Sequence, residues 1–529
     1  MRLPIALAAL LALAKCAFLV SFPLRNLCMT PWLLDDAFIT MRIARNLATG
    51  RGYSFDGLHP TSGSPLLWTV LTSLNHLWLS RDVAALVTLI ESVLLGAVAT
   101  VLTFTLAAAT TGDRRIAWAA FALCSLSTSL FVAGWNGMET TAFTCLGLFA
   151  VLLYHRLCSA ERGAAAYGVL GVVLGLLMLA RADGVFVALA IVLLELDRWR
   201  RSPATLRKPR GWRIALLAAL CAAAASPVAL WSIYSDGALT PANQSGRRLL
   251  AWDGVWNPAG QLIWSAYARK VSNSVLELVR LYTITTGAAV VALFGLVAIW
   301  NRPRTRELSR FVATYLSLYG AGLVLYQGYF PDFHGLRYLA FPGHLASIAV
   351  AAFCVDFAER VFPEPRQRVA RRLTVIAAVL LLLASALTSY KDLVQRGGWT
   401  EGMRIVPRYQ DSEVDAWWRV IESARRDLPP ESVIAAKDHG RLAYFTEFRV
   451  VDLAGILDPT VTRRLREGRL GAYLHEQGVT HVLLPPRGGS QVERAVRATL
   501  DLQPTTGPVS PGAQHSQIYR VDWTGSGAE

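Results

Sequence analysis

Apolar runs of about twenty residues recur along most of this chain, separated by short loops rich in arginine. A run of that length matches the hydrocarbon thickness of a bilayer when helical, so the chain must fold as a polytopic membrane protein. Its 529 residues are 53% hydrophobic and carry a formal charge of +15. That charge does not argue for nucleic acid, because most of the arginines lie in short loops between apolar runs, the pattern of cytoplasmic loops. The seven cysteines are scattered in or beside apolar runs, none beyond Cys354, with no CxxC or metal spacing.

The arginines also set the topology. A first, uncleaved span is expected over 3–22, starting inside, followed by a first external loop, 23–82. The stretch Pro65 to Leu79 is short and opens on proline; if it crossed the membrane, every later basic loop would fall outside. Read as an interfacial or re-entrant helix, it restores the pattern. Spans are then expected at about 83–110, 116–133, 139–157, 165–180, 184–196, 214–234, 276–300, 310–328, 338–358 and 373–389, eleven with the first. The loop from Asp197 to Arg213, with seven basic residues, is the strongest inside signal. After about residue 390 the composition changes. Strands are expected at 432–436, 479–484 and 518–522, helices at 413–426 and 461–477, and turns at Gly440 and Gly455. The chain therefore divides into a transmembrane domain, 1–390, and an extracytoplasmic α/β domain, 391–529, with a disordered end.

The external side holds the chemistry-bearing residues. Asp35 and Asp36 follow Trp32, an interfacial anchor type. A charge at the centre of a transmembrane helix costs about 2.5–3.5 kcal/mol, less towards the interface, so paired carboxylates at a bilayer edge need a reason. Either they cap the helix that follows, or they face something docked in the lipid. That helix is expected to be amphipathic, with Ile39, Ile43 and Leu47 on one face and Arg42, Arg45 and Thr49 on another, ending at Gly50 and Gly52. Glu139 either uses a helix N-terminal dipole or faces substrate. Arg181 and Asp183 either pair with each other or meet a phosphate and a sugar hydroxyl. Arg247 and Arg248 are solvated charges or part of a phosphate clamp. His334 reads first as structural, while Arg337 stands at a span's outer end, where a guanidinium can hold a lipid-linked phosphate.

The run DDAFITMRIARNLATGRGYSFDG, followed by HPTSGSPLLW, resembles the first external loop of the GT-C glycosyltransferase superfamily, most nearly bacterial members in the style of mycobacterial arabinofuranosyltransferases. Supporting likenesses are Gly-Met-Glu-Thr around Glu139, the segment around Asn243 (which departs from the family's Leu-Pro-Asn-Thr by an inserted Ala242), Arg337-Tyr338-Leu339-Ala340-Phe341-Pro342, and Gly440 to Gly455 in the tail. The resemblance implies a GT-C-like polytopic helical fold. It implies transfer of a sugar from a polyprenyl-phosphate donor to a cell-envelope glycan, lipid or protein, at the outer face of a bacterial inner membrane. An acidic residue of the first loop would lie at the reaction centre: Asp35 as general base, Asp36 in support, with the order reversible. One base and a single displacement imply inversion. Arg42, Glu139, Arg181, Asp183, Asn243, Arg247, Arg248, His334, Arg337 and Tyr338 would line the substrate. Some GT-C members use a divalent cation, but no ligand set is readable here. Two other classes stay in view, a lipid-linked-sugar flippase and a non-catalytic assembly protein; no repeated halves of the transporter kind are visible.

Overall fold

The computed structural model describes residues 2–21, 33–127, 133–159, 163–239, 241–243, 262–273, 305–323, 337–361, 413–437, 439–485, 490–505 and 517–523, with a few isolated positions between them. The expected spans 276–300 and 373–389 fall wholly or mostly outside these residues. The chain divides into two compact units: Met1–Ser21, Leu89–Pro227 and Val271–Lys391 form one, and Phe22–Thr88, Val228–Lys270 and Asp392–Glu529 form the other.

The first unit is helical. It contains the Arg2–Val20 helix, the larger part of Arg81–Thr111, then Arg114–Leu126, Thr140–Ser159, Ala164–Ala180, Gly184–Arg200, most of Ala204–Asp236, Arg306–Ala321 and Ala340–Val361. Each expected span that falls on described residues is met by one of these helices. One difference is that the basic segment before residue 214 is already helical, so Ala204–Asp236 runs on for 33 residues. Among the described residues, Arg81–Thr111, Thr140–Ser159, Ala204–Asp236 and Arg337–Arg360 are long and apolar enough to cross a membrane. Leu3, Leu10 and Leu13 of the first helix are exposed, as side chains facing lipid are. Gly171 and Gly175 lie so close to the backbone of the Ala204–Asp236 helix that a Cβ would overlap Leu217 and Ala224. Small residues at that spacing let membrane helices approach. Rings line the interior: Phe311, Tyr315 and Tyr319 stack in sequence, and Phe341 meets Tyr315 edge-on at 5.1 Å.

The second unit joins the first loop to the C-terminal domain. The Asp35–Ala48 helix packs on Leu66–Trp78 and on Gly440–Phe445. Ile39 and Ile43 of its expected apolar face are buried, while Arg45 is half-buried and Thr49 exposed; the departure is Arg42, which is buried with Phe38, Met41 and Ala44. Leu66–Trp78 is a short helix. It has 13 residues, about 20 Å at 1.5 Å per residue, too short for a bilayer. It buries Thr69, Thr72 and Ser73 while exposing Val70, Leu71, Leu74, Leu77 and Trp78.

The C-terminal domain is built on a five-stranded sheet, β1 (Val433–Ala436), β2 (Arg449–Asp452), β3 (His481–Leu484), β4 (Asp501–Pro504) and β5 (Gln517–Asp522), in the order β2-β1-β3-β5-β4. β1 is parallel to β2 and β3, while β5 is antiparallel to β3 and β4. The expected strands are β1, β3 and β5; β2 and β4 are additional, each four residues long. The helix expected over 461–477 is two, Pro459–Arg466 and Leu470–Glu476, separated at Gly468, whose φ is +70°. Gln491–Thr499 is a further helix, opened by a capping box of Ser490 and Glu493. Gly455 turns the chain at φ +67°, as expected. Gly440 does not mark a turn; it is the first residue of Gly440–Phe445.

Candidate functional site

Asp35 opens its helix with its carboxylate already engaged. Oδ2 accepts the Gly440 N–H at 2.7 Å and Oδ1 accepts the Arg441 N–H at 2.8 Å. The Arg441 guanidinium lies 3.5 Å from Oδ1 and also donates to the Leu33 carbonyl. A methyl group at Gly440 would overlap the Asp35 carbonyl oxygen, so glycine is what admits this approach. Asp36 is the second acidic residue of the first turn and is half-buried; on a helix it points about 100° away from Asp35. Arg42 is buried, directed at the carbonyls of Phe55 (3.4 Å) and Thr446 (3.5 Å).

The loop after this helix is held by its own side chains. Asn46 Nδ2 donates to the Ser54 and Phe55 carbonyls at 2.9 and 3.0 Å. Asp56 Oδ1 accepts the Leu58 and His59 N–H groups, and Oδ2 meets His59 Nδ1 at 2.7 Å and Arg449 at 3.4 Å. Burial pushes the Asp56 carboxyl up, but the bonds from His59 and Leu58 outweigh it and hold it below its ordinary range. Further on, Thr61 donates to the Leu457 carbonyl at 2.6 Å and Ser62 donates to Asp236. A cavity of about 500 Å³ opens beside this loop, with Phe55, Asp56, Asp236, Asp452, Asp458 and Tyr473 among its walls. Asp452 is buried and caps the turn after β2 through the Ala454 and Leu457 N–H groups; burial raises its carboxyl despite nearby His439.

In the helical unit, Glu139, Arg181 and Asp183 form one buried cluster. Arg181 donates to Asp183 Oδ2 at 2.6 Å and to Glu139 Oε1 at 3.0 Å. Its guanidinium lies 4.7 Å from the Tyr338 ring centre and 5.7 Å from that of Phe143. Arg337 also lies against Tyr338, at 5.1 Å, and donates to Met138 Sδ at 3.0 Å. Tyr319 fixes the backbone here by donating to the Tyr338 carbonyl at 2.7 Å. Five of the expected site residues (Glu139, Arg181, Asp183, Arg337 and Tyr338) are thus brought together. The pairing reading of Arg181 and Asp183 describes the geometry, with Glu139 as a third member.

Asn243 is half-buried, next to Ala242, whose N–H donates to Ser62 Oγ at 2.8 Å. Arg247, Arg248 and His334 lie outside the described residues. Among the described residues no cluster of three or more His, Cys, Asp or Glu is arranged for a metal. Sequence reasoning missed Gly440, Arg441, Asp56, Asp236, Asp452 and Asp458. The Asp56-Gly57 turn, the Asp452 turn and the Asp458-Pro459 helix start leave a local signal; Gly440, Arg441 and Asp236 depend on contacts distant in sequence.

A family model described as a domain of unknown function (DUF8728) matches residues 405–521. No curated protein matches the chain in sequence. Similar solved structures do exist. ArnT from Cupriavidus metallidurans bound to undecaprenyl phosphate is similar over 98% of this chain and 97% of its own, with a TM-score of 0.53 and 13% identity. The Archaeoglobus fulgidus oligosaccharyltransferase in its apo form is similar over 91% of this chain and 69% of its own, with a TM-score of 0.53 and 13% identity. The same archaeal enzyme, AglB, in complex with an inhibitory peptide and a dolichol-phosphate, gives a TM-score of 0.52 at 11% identity over the same shares. This chain has their fold, that of a polytopic α-helical membrane protein with a C-terminal domain.

Proposed function

We propose that this protein transfers a sugar from a polyprenyl-phosphate donor to a cell-envelope acceptor, at the outer face of a bacterial inner membrane, with inversion at the anomeric carbon. The observation that carries the reading is a GT-C fold extending over nearly the whole chain, shared with a transferase whose structure holds undecaprenyl phosphate. An acid pair at the head of the first loop supports it.

The geometry favours Asp36 over Asp35 as the base. Both Asp35 oxygens accept backbone N–H bonds, and Arg441 stands beside one of them; taking a substrate proton there means giving up bonds that hold the unit together. We assign Asp36, about 100° around the same helix, to remove the acceptor's proton, a contribution of about 10²- to 10⁴-fold. Arg181 is already matched by two carboxylates, so in this reading it builds the site, and Arg337 meets the donor phosphate. Of the other residues that the resemblance names, we assign Arg247, Arg248 and His334 to the phosphate and Asn243 and Tyr338 to the sugar. Arginine at headgroup depth stabilises the charge on the departing phosphate.

The test is transfer from a labelled polyprenyl-phosphate sugar by purified protein, with melting followed in parallel. Asp36→Asn lowers turnover by about 10²-fold or more, about 2.7 kcal/mol of transition-state stabilisation, in protein that still melts cooperatively. Arg337→Gln weakens donor binding. Near-full turnover by Asp36→Asn overturns the assignment of the base, and no transfer to any envelope fraction overturns the function.

A further inference from the structure

We propose that the cavity beside the first loop binds a neutral saccharide, the non-reacting part of the acceptor. This rests on the transferase reading above and adds to it the class of the acceptor. The cavity holds about 500 Å³, within the range of small-molecule sites and large enough for more than one sugar ring. All of its described walls belong to the second unit: the turn at Phe55–Thr61, the end of the Ala204–Asp236 helix, β2 with the loop after it, the first half of Pro459–Arg466, and Tyr473 and Gln477 from the second half of Leu470–Glu476 and its C-terminal cap. The carboxyl ends of parallel strands are where open α/β sheets bind ligands, and Asp452 ends β2 on the parallel side of this one.

The lining decides the class of ligand. Phe55 and Tyr473 offer apolar ring surface, and both are buried. Four carboxylates, from Asp56, Asp236, Asp452 and Asp458, share the same space, and they repel an anion, so the donor's phosphate is not seated here. They are not arranged as metal ligands. Their remaining capacity is to accept hydroxyl groups. A carboxylate has about four acceptor sites; the described bonds to Asp458 take two, from the Thr460 N–H and the Tyr473 hydroxyl. An uncharged polyol with apolar ring faces matches acceptors beside aromatic rings. Exposed His59 and Arg463 stand at the rim, leaving the mouth able to admit a chain longer than the pocket.

The full-length protein in detergent is applied to an array of neutral and anionic oligosaccharides, together with two variants. Thr460→Trp fills the cavity from its wall without altering the backbone N–H that Asp458 caps. Asp458→Asn keeps a capping oxygen, since Asn serves nearly as well as Asp at that position, but removes the charge. The expected result is binding to neutral oligosaccharides, lost by at least tenfold in Thr460→Trp and weakened in Asp458→Asn, with melting preserved in at least one of them. No neutral binder, preference for anionic glycans, or undiminished binding by Thr460→Trp overturns the proposal. Array binding is read apart from donor transfer. Loss of transfer activity with saccharide binding intact therefore counts against the transferase reading, and transfer with an unchanged acceptor KM in Thr460→Trp counts against the cavity.

Discussion

The two oxygens of Asp35 face two backbone N–H groups, at 2.7 and 2.8 Å, and that arithmetic separates it from its amide. Asparagine brings one oxygen and one NH₂, so one of the two N–H groups would meet a donor. Asp35→Asn is expected to lower stability by about 1–3 kcal/mol, the cost of an unsatisfied buried donor, and denaturant unfolding measures it. Gly440→Ala presses a methyl group onto the Asp35 carbonyl, and overpacking of this kind costs about 1–3 kcal/mol. Arg181 is governed by a different balance. Replacing it with Gln leaves Glu139 and Asp183 buried without their cation, for a loss of about 3–5 kcal/mol, read as a fall in melting temperature. The acid pair, Glu139, Arg181, Asp183 and Arg337 were all legible as unusual residues in the sequence. Which Asp is clamped was not, because the clamp comes from Gly440 and Arg441, four hundred residues away.

At the scale of elements, legibility followed length. Long apolar helices declare themselves by composition. The strands β2 and β4 are four residues each, too short for a periodic signal, and β4 is largely exposed at the sheet edge. The Ser490-x-x-Glu493 box was readable as a helix start and was passed over. The turn at Asp56 carries a pH dependence. Its carboxyl lies below the ordinary value in the folded chain. It therefore contributes stability fully above the unfolded value of about 4, a contribution lost as pH falls through the folded value. The gap in melting temperature between the native protein and Asp56→Asn should be widest near neutrality and close on acidification below the ordinary carboxylate range; a gap independent of pH contradicts this.

Across the whole molecule, the proposed topology rests on the arginine distribution and on an interfacial Pro65 to Leu79. With the proposed orientation, a cysteine placed at position 208 is shielded from membrane-impermeant reagents outside the cell, and one at position 490 is labelled. Efficient labelling of position 208 reverses the topology. The sequence marked a change of character near residue 390. It could not show that the compact unit beyond it also takes in residues 22–88 and 228–270, since that grouping depends on contacts between stretches far apart in the chain.

The clamp between Asp35 and Gly440 also sets an order of events during synthesis. Its two halves are 405 residues apart. At about 5–20 residues per second, Asp35 leaves the ribosome about 20–80 s before the amide that it binds exists. Through that interval the first loop waits at the bilayer with its acid pair in place and its partner unmade. The head of the chain can complete its structure only when the tail has arrived, so a chain released early carries the acid pair without the frame that holds it.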